Sequence, residues 1–271
     1  MSEPAAPGAV LALRGVKKSF GGVGALHGVD LDIGAGEVVG LVGDNGAGKS
    51  TLIKTIGGVH IPDAGEMYVH GVRREHMTAV EAQRLGIETI HQSLGLVDTL
   101  DVAANIFMNR ERVRRDPIGR TVGWLDKRGM YAESARALEA FSLPHSLLRR
   151  PVRTLSGGQR QMVAIARAVY WQPKLVMMDE PTAALAVVHA AKVLELVRSL
   201  AASGIAVILV SHDMGHVLQV TNRVVVLRHG SKVADMPTNE TSHQEIVMYI
   251  TGHRGTNDLA AGGDGHEDVR R

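Results

Sequence analysis

Eight consecutive residues, Gly43-Asp44-Asn45-Gly46-Ala47-Gly48-Lys49-Ser50, place three glycines, a lysine and a hydroxyl at a spacing suited to a polyphosphate. Glycine lets the backbone turn until successive N–H groups face the phosphates. A helix starting at Lys49 adds partial positive charge, and Lys49 itself adds a full one. Ser50, with Thr51 beside it, is set to offer a hydroxyl to a bound Mg²⁺. Farther along, the apolar run Lys174 to Met178 ends in two adjacent acids, Asp179 and Glu180. One carboxylate there suits metal support and the next suits taking a proton from an attacking water, although acids after strands also serve as helix caps. Ser156-Gly157-Gly158-Gln159 opens a helix, so Ser156 reads first as an N-cap, while the same helix start also suits an anion. His212 follows the apolar strand Val207 to Val210, and among 13 histidines a single one is ordinarily incidental.

Short apolar runs alternating with helix-length segments must position these groups, which predicts an α/β domain with a mostly parallel sheet. Val10 to Val16 and His27 to Ile33 alternate like half-buried strands, and Met67 with Val69 suggests another. Glu37 to Val42 is a near-continuous apolar run suited to a central strand just before the glycine-rich loop. A helix is expected from Lys49 to Ile56, ended by Gly57-Gly58, followed by a short strand at Ile87 to His91. From Asp101 to Leu148 the reading is mainly helical, with Ala132, Ala135, Leu138 and Phe141 at helical spacing and breaks at Asp116-Pro117 and Pro144. Thereafter the expected order is helix Gly157 to Trp171, strand Lys174 to Met178, helix Val187 to Ala202, strand Ile205 to Val210 and helix Met214 to Val220. Strands Val224 to Leu227 and Lys232 to Ala234 turn at Gly230, and Ser242 with Glu245 opens a last helix to about Ile250.

Composition narrows the classes. A chain of 271 residues can bury enough surface to need no disulfide or structural metal. With no cysteine, thiolate zinc sites, iron–sulfur clusters and cysteine nucleophiles are excluded. Thirty Lys and Arg against 28 Asp and Glu give a net charge of +2, too small to argue for nucleic acid. No apolar run reaches the roughly 18 residues of a membrane span, and the first eight residues do not resemble a secretory signal, so a cytoplasmic location is expected. Residues 1–8 and 252–271 read as a flexible start and a solvated tail around one domain over 9–251.

The four elements, in this order, resemble the nucleotide-binding subunit of an ATP-binding cassette (ABC) transporter, from about Val10 to Ile250. Leu155 to Gln159, continuing through Arg160 to Ala168, matches the segment that separates this family from other phosphate-loop ATPases. The resemblance implies a phosphate-loop ATPase core, an antiparallel β subdomain and a helical subdomain inserted at about 93–165. It also implies ATP and Mg²⁺ as ligands. Phe20 would stack on adenine, and Gly43 to Thr51 would bind the phosphates. Ser50, Gln92 and Asp179 would support Mg²⁺, and Glu180, His212, Gln92 and Lys49 would carry catalysis. Ser156, Gly157, Gly158 and Gln159 would complete the ATP site of a second copy, so a homodimer is expected.

Ala186 stands where the family usually has aspartate, and replacing it by aspartate is expected to raise rate or cooperativity. The wording of these segments is most similar to monosaccharide importers with one cassette per chain, with branched-chain amino acid importers as the alternative. A soluble ATP switch or a regulatory cassette would be a different class. Import implies membrane permease subunits and, indirectly, a solute-binding protein, with the cassette on the cytoplasmic face and no nucleic acid partner. The basic cluster Arg110, Arg112, Arg114 and Arg115 suits a permease or lipid interface, though a solvated charged face is the plainer reading.

Overall fold

The computed structural model describes residues 8–91, 94–114, 116, 121–139, 141, 143–183 and 185–253. Two sheets and a helical layer share the chain. The first sheet is antiparallel, in the order β2-β1-β4-β5, with β1 Ala9–Phe20, β2 Val23–Gly34, β4 Ala64–Val69 and β5 Val72–Arg74. The second has the order β10-β9-β3-β8-β7-β6, from β3 Val38–Val42, β6 Ile87–Ile90, β7 Leu175–Asp179, β8 Ala206–Val210, β9 Arg223–Arg228 and β10 Ser231–Pro237. Its pairs are parallel except β9 with β10. Strands β3 and β8 are buried along their whole length, which is why they read as unbroken apolar runs.

Helices α1 Lys49–Ile56, α2 Ala79–Arg84, α3 Val102–Ile106, α4 Lys127–Glu139, α5 Gly157–Tyr170, α6 Val187–Ala202, α7 Met214–Val220 and α8 His243–Thr251 complete the fold. Leu52, Ile53 and Ile56 of α1 pack with both sheets in one core. On the other face of the large sheet, Met162, Ile165 and Ala166 of α5 meet Val193, Leu194 and Val197 of α6. A separate cluster joins Ile106 and Phe107 to Leu138, Leu147, Leu155 and Val163. Helix α5 therefore belongs to two cores, through Met162, Ile165 and Ala166 on one side and Val163 on the other. Asn105, fully buried, ties this layer together: its Oδ1 accepts from Val97 N–H at 2.7 Å and its Nδ2 donates to the Val97 and Asp101 carbonyls at 3.1 and 3.0 Å.

The structure corrects the sequence reading in the middle of the chain. Residues 107–114 and 123–126 are turns and extended chain, not helix: Val113 bridges Leu125, Arg114 N–H donates to Trp124 O and Asp126 N–H to Arg112 O. Left-handed Asn109 and Gly123 turn the chain there, which a helix cannot accommodate. On α4 the buried positions are Met130, Ser134, Ala137 and Leu138, so Ala132 faces outward and Phe141 lies beyond the helix end. Strand β5, three residues at a sheet edge with two exposed, carried no apolar pattern to find. The expected tail, from residue 254, lies outside the described residues, as do residues 1–7.

Candidate functional site

The glycine-rich loop leaves β3 at the edge of its buried run and enters α1, as α/β ligand sites do at strand carboxyl ends. Gly43 has φ 149°, and a Cβ there would run into Leu227 O of β9. Gly48 has φ 103°, and a Cβ there would lie 2.7 Å from Ala25 O of β2. Both glycines are therefore demanded by close backbone approach, not by turning alone. Gly48 is also the N-cap of α1 and offers no side chain to the first-turn N–H groups, which leaves them directed at the loop. Asp44, Asn45, Gly46 and Ser50 are exposed, and Ala47 is buried, with its carbonyl accepting from Gly230 N–H at 3.0 Å.

Lys49 is held over this loop, its Nζ donating to Gly43 O at 2.7 Å and to Asp44 O at 3.0 Å. Burial lowers its pKa, opposed by the charges of Glu180, Asp179 and Asp44. Burial raises the pKa of Asp179, opposed by His91, Lys49 and Lys54. Asp179, the last residue of β7, and Glu180 beyond it thus act on the cation that starts α1, although 130 residues separate Lys49 from Asp179 in sequence.

Glu180 occupies left-handed backbone at φ 53°, an uncommon conformation for a residue with a Cβ, pinned by Glu180 N–H donating to Val210 O at 2.9 Å. Its Oε2 lies 2.8 Å from His212 Nδ1 but out of line for a hydrogen bond, and this buried oxygen has no donor. A buried carboxylate oxygen left open beside an exposed hydroxyl-bearing helix start is a donor set suited to a water and a hard cation. His212 itself is largely exposed, so its ring is free to meet a ligand from solvent.

Phe20 ends β1 in a half-exposed position, its ring edge-on to His60 with centroids 5.0 Å apart and Lys18 Nζ 5.5 Å from its centroid. One face remains available for stacking. Ser156 and Gln159 form a reciprocal capping box: Ser156 Oγ accepts from Gln159 N–H, and Gln159 Oε1 from Ser156 N–H. Ser156 and Gly157 are exposed, and the described contacts of this turn are its own cap and the ring of His189, not the phosphate loop. Lys49, Asp179, Glu180 and His212 are therefore brought together within the chain, and the Ser156 turn is not. Gln92 lies outside the described residues.

Three groups next to this site escaped the sequence reading. His91, immediately before Gln92, faces Asp179, and burial lowers its pKa. Arg167 of α5 crosses to the chain after Gln92, donating to Gly95 O at 2.7 Å and Leu94 O at 3.1 Å. Thr182 Oγ1 lies 3.2 Å from His216 Nδ1, which joins the turn after Glu180 to the first turn of α7, the helix that follows His212. Sequence proximity marks His91; nothing local marks the other two.

The ABC transporter family profile matches residues 26–183, more than half of the chain. This chain belongs to the ABC transporter ATP-binding family. It is 44% identical over 242 residues to the xylose/arabinose import ATP-binding protein of Sulfolobus acidocaldarius, covering 89% of this chain and 94% of that one. The fructose import ATP-binding protein of Rhizobium meliloti is 38% identical, covering 90% and 94%. Among solved structures, a nucleotide-free ATP-binding cassette from an ABC transporter superposes with a TM-score of 0.74 at 28% identity, covering 90% of this chain and 95% of that one. A dimeric cassette in a post-hydrolysis state with ADP and phosphate superposes with a TM-score of 0.72 at 26% identity, covering 84% and 98%. As an ABC ATPase domain the chain binds and hydrolyses ATP, and the two-sheet α/β architecture is that of the cassettes. No helix among the described residues is long and apolar enough to cross a membrane.

Proposed function

We propose that this chain is the ATP-hydrolysing subunit of a monosaccharide importer, bound as a pair of copies to permease subunits at the cytoplasmic face of the membrane. The observation that carries the catalytic reading is the convergence of Lys49, Asp179, Glu180 and His212 around the glycine-rich loop. The similarity to xylose/arabinose and fructose import proteins, over nearly the full length of each, supports the sugar.

In this reading Phe20 stacks on the adenine, the loop amides from Gly43 to Thr51 and the Lys49 ammonium hold the phosphates, and α1 directs its uncapped N-terminus at them. Ser50, Asp179 and Gln92 would hold Mg²⁺, which when bound draws charge from the phosphate oxygens. Glu180, fixed in its left-handed turn, orients the attacking water through the open Oε2 and receives its proton. His212, with its Nδ1 2.8 Å from that oxygen, reaches toward the terminal phosphate and helps to fix the water. Ser156, Gly157, Gly158 and Gln159 of one copy close over the nucleotide of the other, which accounts for an exposed, rigidly capped turn remote from its own phosphate loop. ATP then joins two copies, and hydrolysis releases them.

The permease would dock at the cleft of about 290 Å³ between α1, β6, α3 and α5, where Glu88, Arg110 and Arg167 stand beside Ile106, Met108 and Trp171. A solute-binding protein would meet the permease on the other side. Uptake of labelled monosaccharides into proteoliposomes holding the cognate permease, binding protein and this chain tests the assignment. ATP-dependent accumulation of xylose, arabinose or fructose supports it; accumulation of amino acids alone overturns it.

A further inference from the structure

Helix α2 presents different faces to two clefts. Ala79, Val80 and Gln83 line the groove in which the permease is placed above, whereas Glu81 and Arg84 turn to a second cleft, of about 470 Å³, shared with β5 and the chain that follows it. Thr78, which opens α2, lies against Gly58 past the C-terminal end of α1, so this second cleft is at the opposite end of α1 from the phosphate loop. Arg73, Arg74, His76 and Arg84 line it, against the carboxylates of Glu75 and Glu81. Arg73 is engaged, its Nη2 3.2 Å from Glu66 Oε1 and 3.9 Å from Glu75 Oε1. Arg74 and Arg84 make no ion pair among the described residues, and the Nε of Arg74 is buried without a hydrogen-bond partner. Glu81 is engaged by its own helix, its Oε2 accepting from Thr78 N–H and from Thr78 Oγ1, each at 2.8 Å. Those hydrogen bonds first, and the charges of Arg84 and Arg74 after them, lower its pKa, so both guanidinium groups surround an acid that is already held by the cap. A buried guanidinium nitrogen without an acceptor is costly, and forked guanidinium donors suit the oxygens of a phosphate.

We propose that Arg74, Arg84 and His76 form a second phosphate site, separate from the glycine-rich loop, that takes the phosphate of an anionic lipid headgroup or a free phosphate ion. The lipid is the expected source, because α2 also lines the groove of the permease, which brings this side of the chain toward the bilayer. That choice of source rests on the docking reading above; the site itself does not. Attraction of an anionic surface to exposed arginines is screened by salt, so the contact weakens as ionic strength rises.

The test compares the full chain with Arg74→Gln plus Arg84→Gln, and with Glu81→Gln, which keeps an acceptor for Thr78 while removing a negative charge. Co-sedimentation with vesicles of equal parts phosphatidylcholine and phosphatidylglycerol, and with phosphatidylcholine alone, reads the lipid source. Wild type is expected to bind the anionic vesicles and not the zwitterionic ones, the arginine variant at least about tenfold more weakly, and Glu81→Gln about threefold more tightly. Thermal melts with inorganic phosphate read the free ion. Binding at the glycine-rich loop is common to all three proteins, so only a rise in Tm that the arginine variant lacks reports the second site. Such a rise without vesicle binding supports the site and overturns the lipid as its source. MgATP hydrolysis is expected to be the same in all three, which separates loss of the site from loss of the fold. If the arginine variant does not fold, Glu81→Gln decides by whether binding tightens. Vesicle binding and phosphate-dependent Tm that are equal in every protein that folds overturn the proposal.

Discussion

Removing the Arg167 side chain separates the helix that starts at Ser156 from the loop that follows Gln92. The guanidinium donates two charge-assisted bonds, at 2.7 Å to Gly95 O and 3.1 Å to Leu94 O. Hydrogen bonds to a charged group contribute about 1.5–3 kcal/mol each, a gross loss of about 3–6 kcal/mol for Arg167→Ala. Against this stands the recovered desolvation of a largely buried cation, whose burial lowers its pKa, and hydration of the Gly95 carbonyl, which lies at the surface. The net destabilisation is about 1–3 kcal/mol, or a fall in Tm of about 3–10 °C for a domain of this size. Leu94 and Gly95 both hold left-handed φ, 59° and 55°, and Leu94 relaxes once its carbonyl is released. The phosphate loop is untouched, so KM for ATP is expected to stay within about twofold while kcat falls about tenfold. Arg167→Lys keeps the charge but offers no fork, and is expected to recover part of kcat. Steady-state hydrolysis and thermal melts on the three proteins decide. A kcat within twofold of wild type in Arg167→Ala, with Tm moved by less than a degree, would refute the reasoning.

Gly43→Ala meets Leu227 O in a backbone region that alanine avoids, and is expected to abolish nucleotide binding measured by a fluorescent ATP analogue while far-UV circular dichroism stays near wild type. Ala186→Asp supplies the missing N-cap of α6 and is expected to add about 1 kcal/mol, seen as a rise in Tm of about 2–4 °C, with hydrolysis raised as the family resemblance implies. Asp63 has its pKa lowered to about 2 by hydrogen bonds from Lys18 and Ser19. A depressed carboxylate pKa contributes stability that is complete above its unfolded value near 4 and lost as pH falls through the folded value. The Tm gap between wild type and Asp63→Asn is therefore expected to be constant from pH 7 to 5 and to close toward pH 2.

Much of this was legible in the sequence because it is local. Lys49 to Ile56 and Val187 to Ala202 read as helices with the bounds the structure gives, one ended by Gly57 and the other carried by apolar spacing. Central strands betrayed themselves as unbroken apolar runs. What stayed hidden is non-local or solvated. Strand β5 pairs at an exposed edge, and residues 107–114 and 123–126 are shaped by bonds between distant segments such as Arg114 N–H to Trp124 O, which helical spacing cannot reveal. At the site, the lysine, the acid pair and the histidine are residue types that announce chemistry. Arg167 and His189 act through geometry alone: one reaches a loop more than 70 residues away, and the other rests on a glycine of a different helix.

The central claim is that Glu180 activates water at a site closed by a second copy. Hydrolysis of MgATP by wild type and Glu180→Gln, with sedimentation of both, tests it most directly. Wild type is expected to hydrolyse ATP and pair only transiently, whereas Glu180→Gln loses at least about a hundredfold in rate and accumulates as an ATP-bound pair. A variant that hydrolyses ATP at the wild-type rate, or that binds ATP and remains a single copy, would contradict it.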